Sequence, residues 1–179
     1  MVPVVALIAI GLLFAAAGRK VGSNMTKTAK PALSPDLVKL AERWAGTRGI
    51  PTDWVLATIL LESAGNPRAI GDQGRSYGLM QINTQAQAKR LAQMGIAKDQ
   101  LFDPSTNIQV GTLIMREGLD WLTRKLGNKQ PPRPMDELVR LAYKGGLGTA
   151  QKALAGQDPY PAAIVAWQDR RRRVAPLCA

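Results

Sequence analysis

Hydrophobic positions recur at helical spacing along most of this chain, in six stretches punctuated by proline, glycine and polar residues. Ser34-Pro35-Asp36 opens the first with a capping serine, a proline at the first helical position and an early acid. Leu37, Leu40, Ala41 and Trp44 form its stripe, and Gly46 or Gly49 ends it. Pro51-Thr52-Asp53 starts the second, with Thr52 placed to cap it. There Val55, Ile59 and Glu62 share one face at i, i+4 and i+7, and Gly65 with Pro67 behind it closes the helix. Thr84 to Met94 predicts a Gln- and Ala-rich helix ended by Gly95. Pro104-Ser105 opens the longest, with Ile108, Gly111, Met115, Leu119, Leu122 and Leu126 in line. Gly111 inside that stripe predicts close approach of another backbone, that of the helix carrying Glu62. Lys129 to Pro134 reads as a loop, Asp136 to Tyr143 as a short helix, and Gly145, Gly146 and Gly148 as a flexible turn. Pro161 to Arg173 is the last helix, with Ile164, Val165 and Trp167 inward and the arginines outward. No run alternates apolar and polar residues over a strand's length, so the expected class is all-α.

The N-terminus follows a different rule. Val2 to Gly18 is uncharged and almost entirely apolar, and Arg19-Lys20 follows. Its length is at the low edge for a membrane-spanning helix. A secretory signal is the rival, with Ala15-Ala16-Ala17 as its cleavage site but no basic stretch before the apolar run. A segment apolar all round is a poor surface helix of a globular domain. The expected organisation is therefore a hydrophobic transmembrane or signal helix over 1–18, a basic linker over 19–33, and a domain over 34–179 with a basic tail. The favoured reading is an uncleaved anchor that makes the membrane a partner through residues 2–18. Positive charge just after such a segment favours retaining that end in the cytoplasm, which conflicts with action in the periplasm. A virion protein or a cleaved signal escapes the conflict.

Composition narrows the chemistry. The chain has 179 residues, enough for one domain with an ordinary core. It has no histidine and a single cysteine, Cys178, which removes zinc sites, histidine-based triads and intrachain disulfides. Carboxylates, hydroxyls, amides or amines must do the work, with no metal or cofactor expected. A net charge of +11 suits a polyanionic neighbour, and Arg170 to Arg173 supply part of it. No interleaved aromatics or recognition-helix pattern points to specific nucleic acid binding.

Glu62 is the first anomaly, a carboxyl on a stripe that should face the core. Apolar neighbours and the negative end of the helix dipole would both favour its protonated form, as a general acid requires. The bland reading tilts Glu62 to solvent or pairs it with an arginine. Asp72, in the polar loop Gly71 to Ser76, is a second carboxylate nearby in sequence.

Glu62-Ser63, Asn66-Pro67-Arg68-Ala69 and Gly78-Leu79-Met80-Gln81-Ile82-Asn83, in that order, resemble the catalytic domain of soluble lytic transglycosylases, related in fold to goose-type lysozyme. Asp103-Pro104 with Asn107-Ile108 and Gly111 matches the family's next helix. Ala142-Tyr143 with Gly145 matches its Ala-Tyr-Asn-x-Gly segment, except that Lys144 stands where the family usually has asparagine. The resemblance covers roughly residues 35–172. It implies a lysozyme-like transglycosylase fold, peptidoglycan glycan strands as substrate, and Glu62 as the single catalytic acid and base. It places Ser63, Ser76, Tyr77, Met80, Gln81, Asn83 and Tyr143 along the substrate, with Met80 offering a soft apolar surface to a sugar face and Gln81 a donor and acceptor to an N-acetyl group. The rivals are hydrolysis with Asp72 as second carboxylate, for which Asp53 and Asp103 are weaker because they read as helix-start acids, and a non-catalytic wall-binding or structural membrane protein.

Overall fold

The computed structural model describes residues 33–178. The expected anchor and nearly all of the linker lie outside the described residues. Among the described residues no helix is long and apolar enough to cross a membrane.

Six α-helices surround a small sheet: α1 Pro35–Arg48, α2 Thr52–Ser63, β1 Ile70–Gly71, β2 Ser76–Tyr77, β3 Ile82–Asn83, α3 Ala88–Gln93, α4 Pro104–Leu126, α5 Met135–Leu154 and α6 Pro161–Val174. The all-α expectation is corrected by the antiparallel sheet β1-β2-β3, with Gly71 opposite Ser76 and Ser76 opposite Asn83. Strands of two residues are too short to show a period-two alternation, so the pattern of the chain could not reveal them.

The helix starts follow local chemistry. Ser34 Oγ accepts from Leu37 N at 3.2 Å, and Asp103 Oδ1 accepts from Thr106 N at 2.8 Å. Each satisfies one of the donors that a helix N-terminus leaves free. Thr52 does not cap α2: it is the first helical residue, and Pro51 occupies the cap position. Helix α3 starts late, at Ala88, because Asn83 Oδ1 takes the amides of Gln85 (3.1 Å) and Ala86 (2.9 Å) into a turn instead.

Helix α2 is the centre of the core. Trp54 to Ile59 are all buried, so it has no solvent face over that span. It packs chiefly on α6, while α4 packs on α5 and α1. Trp167 of α6 is buried and its indole donates to Thr58 Oγ1 of α2 at 3.1 Å, satisfying the two polar atoms most deeply placed between these helices. Trp44 is only half-buried, and its indole donates to Ser105 Oγ at 3.0 Å, tying α1 to α4. The stripe of α1 runs through Leu37, Ala41 and Ala45, with Leu40 packed at its edge.

Three further expectations change. Helix α5 does not stop at Tyr143 but runs on to Leu154 through a kink at Gly146 (φ 76°, ψ 177°), a conformation open to glycine. Val165 is 69% exposed, whereas Ile164 and Trp167 are inward as expected. Arg171 is not turned to solvent but pairs with Asp53 of α2 and Asp136 of α5.

Candidate active site

Glu62 lies in the last turn of α2, which ends through left-handed backbone at Ala64 (φ 53°) and Gly65 (φ 84°). The chain then folds back as the three-stranded sheet, which one side chain of α4 holds by hydrogen bonds. Asn107 is fully buried; its Nδ2 donates to Tyr77 O (2.9 Å) and Leu101 O (2.8 Å), and its Oδ1 accepts from Met80 N (2.8 Å). Gly78 sits against this amide at φ 75°, and a Cβ there would lie 2.2 Å from both Asn107 Nδ2 and Leu101 O. The Gly-Leu-Met-Gln turn is thus fixed by α4, at a height set by an asparagine that completes three backbone groups.

Between the sheet, α4 and α5 lies a cleft of about 880 Å³, with Glu62 in its wall. The sheet side contributes Asp72, Ser76, Gln81 and Asn83, α4 contributes Glu117 and Gly118, and α5 contributes Ala142 to Leu147. Five of the eight expected site residues therefore meet here: Glu62, Ser76, Gln81, Asn83 and Tyr143. Three do not line the cleft.

Met80 is fully buried, and its Sδ fills the notch of Gly111, where a Cβ would be 2.3 Å away. It offers no surface to a sugar. The gap at Gly111 is real, but its occupant is this side chain rather than the backbone of α2. Tyr77 is buried edge-on to Phe102 with ring centres 5.7 Å apart, and its hydroxyl donates to Gly74 O. Ser63 Oγ donates to Ile59 O (3.1 Å) and accepts from Gly65 N (3.2 Å), which makes it part of the helix terminus. Gln81 lines the cleft, yet its amide donates to Ala69 O (3.2 Å) and Gly78 O (3.0 Å), so its donors stabilise the turn it occupies at φ 50°.

Asp72 and Asn83 meet across the sheet, Asn83 Nδ2 donating to Asp72 Oδ2 at 2.7 Å, while Asp72 also pairs with Arg75 at 3.2 Å. Tyr143 donates its hydroxyl to Met80 O at 2.7 Å. Burial, and then the negative charge of Glu62, push the Tyr143 phenol well above its ordinary value, so it remains a donor. Lys144, the departure from the family pattern, is exposed and lines the cleft.

One residue was not anticipated as part of the site. Arg140 of α5 is 2% exposed, and its Nη2 donates to Glu62 Oε1 at 2.6 Å. Its guanidinium also lies over the Tyr143 ring, 5.8 Å from the centroid. The neighbours of Glu62 are therefore not simply apolar: a buried cation holds one of its oxygens. The signal available in the sequence was a lone charge inside the apolar run Leu138-Val139-Arg140-Leu141-Ala142. Among the described residues no cluster of histidine, cysteine or carboxylates has the makings of a metal site.

The domain is mostly helical, with a glutamate at the end of its central helix set in a cleft beside a small sheet. The profile of the transglycosylase SLT domain matches residues 39–163, and the chain belongs to that family. Its structure is similar to the X-ray structure of an inactive mutant of the lytic transglycosylase Slt from Pseudomonas aeruginosa, with a TM-score of 0.59 at 20% identity. The match covers 76% of this chain and 23% of that one, so this chain spans less than a quarter of the length of that protein. No match was found among curated proteins.

Proposed function

We propose that this protein is a peptidoglycan lytic transglycosylase that cleaves the β-1,4 bond between N-acetylmuramic acid and N-acetylglucosamine. The observation that carries this reading is Glu62 in the wall of an open cleft, within the matched family domain. In the first step Glu62 gives its proton to the leaving glycosidic oxygen as the C1–O bond breaks, assisted by the N-acetyl group of the muramic acid. In the second step the C6 hydroxyl of the same sugar bonds to C1 and returns its proton to Glu62. The product ends in 1,6-anhydromuramic acid, and no water, metal or cofactor is consumed. Ser76, Asn83 and Tyr143 are the polar groups best placed along the glycan, with Lys144 adding a cation at the cleft edge.

Hydrolysis is the second reading, favoured by Asp72 in the same cleft wall as Glu62. Usually two carboxylates flank a glycosidic bond that is hydrolysed. Asp72 is, however, engaged by Asn83 and Arg75. In the cell, residues 2–18 would hold the enzyme at a membrane, where it would open the wall locally for a phage genome or for a secretion or conjugation apparatus. Clearing of a suspension of purified wall sacculi tests the enzymatic reading. Wild-type protein is expected to clear it and Glu62→Gln is not; clearing by neither, with both still bound to the sacculi, would favour a role in wall attachment or structure.

A further inference from the structure

Arg140 is an expensive residue to bury. A guanidinium withdrawn from water needs its donors satisfied and its charge matched, and a core position filled by a plain apolar side chain would avoid both costs. Here the fold satisfies little of it. The buried Nε and Nη1 of Arg140 find no acceptor among the described residues, and its one ionic partner is Glu62. The surrounding run on α5, Leu138, Val139, Leu141 and Ala142, is buried apolar core that requires no charge. Glu62 reaches the cleft, whereas Arg140 stands behind it. Only Oε1 of the carboxyl is held; Oε2 has no hydrogen bond to the described residues.

We propose that Arg140 is a positioning residue for the reaction: it pins Oε1 from behind and presents Oε2 to the glycosidic oxygen. The inference rests on the transglycosylase reading and deepens it. One held carboxyl serves both steps, because the same free oxygen faces the glycosidic oxygen in the first and the C6 hydroxyl in the second. The other titratable groups lining the cleft are Tyr143 on α5, which is neutral, Lys144 on α5, Asp72 beside the sheet, and Arg90 of α3 paired with Glu117 of α4. None of them changes in the test below.

The full chain, Arg140→Met and Arg140→Lys are compared for release of soluble fragments over a range of purified sacculi concentrations, with circular dichroism to count folded protein. For Arg140→Met the maximal rate per folded molecule is expected to fall about 100-fold while the half-saturating sacculi concentration stays within about twofold. For Arg140→Lys, which keeps the charge but not the planar fork, the maximal rate is expected to fall about tenfold. An unchanged maximal rate in folded Arg140→Met overturns the inference, because a merely structural arginine would lower the folded fraction without changing the rate per folded molecule. If Arg140→Met does not fold, Arg140→Lys decides: a wild-type rate per folded molecule overturns the proposal. A wild-type chain that releases nothing overturns the transglycosylase reading and this inference with it. An active wild type with unmoved variants overturns the inference alone.

Discussion

Two arginines meet carboxylates at opposite ends of α2, and they are held in opposite ways. Near the start of α2, Arg171 of α6 bridges Asp53 and Asp136, and its guanidinium lies 6.0 Å from the Trp54 ring centre and 5.2 Å from that of Trp167. It joins α2, α5 and α6 while keeping 24% of its side chain in water. At the far end Arg140 is 2% exposed and, among the described residues, has one carboxylate and leaves two buried nitrogens unpaired. A charge with several partners and access to solvent braces a fold at little cost. A charge buried with fewer partners than it can bond marks a place where stability yields to chemistry.

Substitutions at the two ends should separate these roles. The largest effect is expected at Glu62: Glu62→Gln removes the transferable proton and should lower turnover by about 10²–10⁴-fold, measured as soluble fragment release per folded molecule. At the other end, Arg171→Met should leave turnover per folded molecule unchanged but reduce stability by about 1–3 kcal/mol. Thermal unfolding would report that as a fall of roughly 2–4 °C per kcal/mol. If Arg171→Met changed the rate instead, the contrast between brace and site would collapse.

A smaller effect is expected at Tyr143, which joins the cleft to the Gly-Leu-Met-Gln turn. Tyr143→Phe loses the bond to Met80 O and should cost about 1 kcal/mol in unfolding at neutral pH. Its phenol is raised in the folded state, so the wild-type contribution is constant below the ordinary value near 10 and declines as pH rises beyond it. Tyr143→Phe should lack that alkaline decline, and unfolding curves at neutral and strongly alkaline pH would show it. The smallest effect is expected at Asp72. Asp72→Asn should keep turnover within about twofold, since it removes a carboxylate that transglycosylation does not use. A collapse of activity there would move the reaction toward hydrolysis.

Much of the helical frame was legible because its causes are local. Ser34 and Asp103 cap where a capping residue meets a proline, and Glu62 falls in the last turn because Gly65 and Pro67 follow it. The sheet was not legible, because pairings of Gly71 with Ser76 and of Ser76 with Asn83 involve too few residues to leave a period. Gly111 announced a close approach but not its partner, since the neighbour is Met80 from a turn distant in sequence. The same limit hid the Arg140–Glu62 pair, whose members are 78 residues apart. The motif brought Ser63, Tyr77 and Met80 to notice as site residues, whereas all three hold the turn and the helix end that place Glu62, Gln81 and Asn83.

The measurement that bears most directly on the whole account is mass analysis of the ends of fragments released from purified peptidoglycan by the wild-type chain and by Glu62→Gln. The account predicts 1,6-anhydromuramic ends from wild type and their loss in the variant. Reducing ends from wild type would contradict it, and would make the cleft that of a hydrolase with a second carboxylate at work.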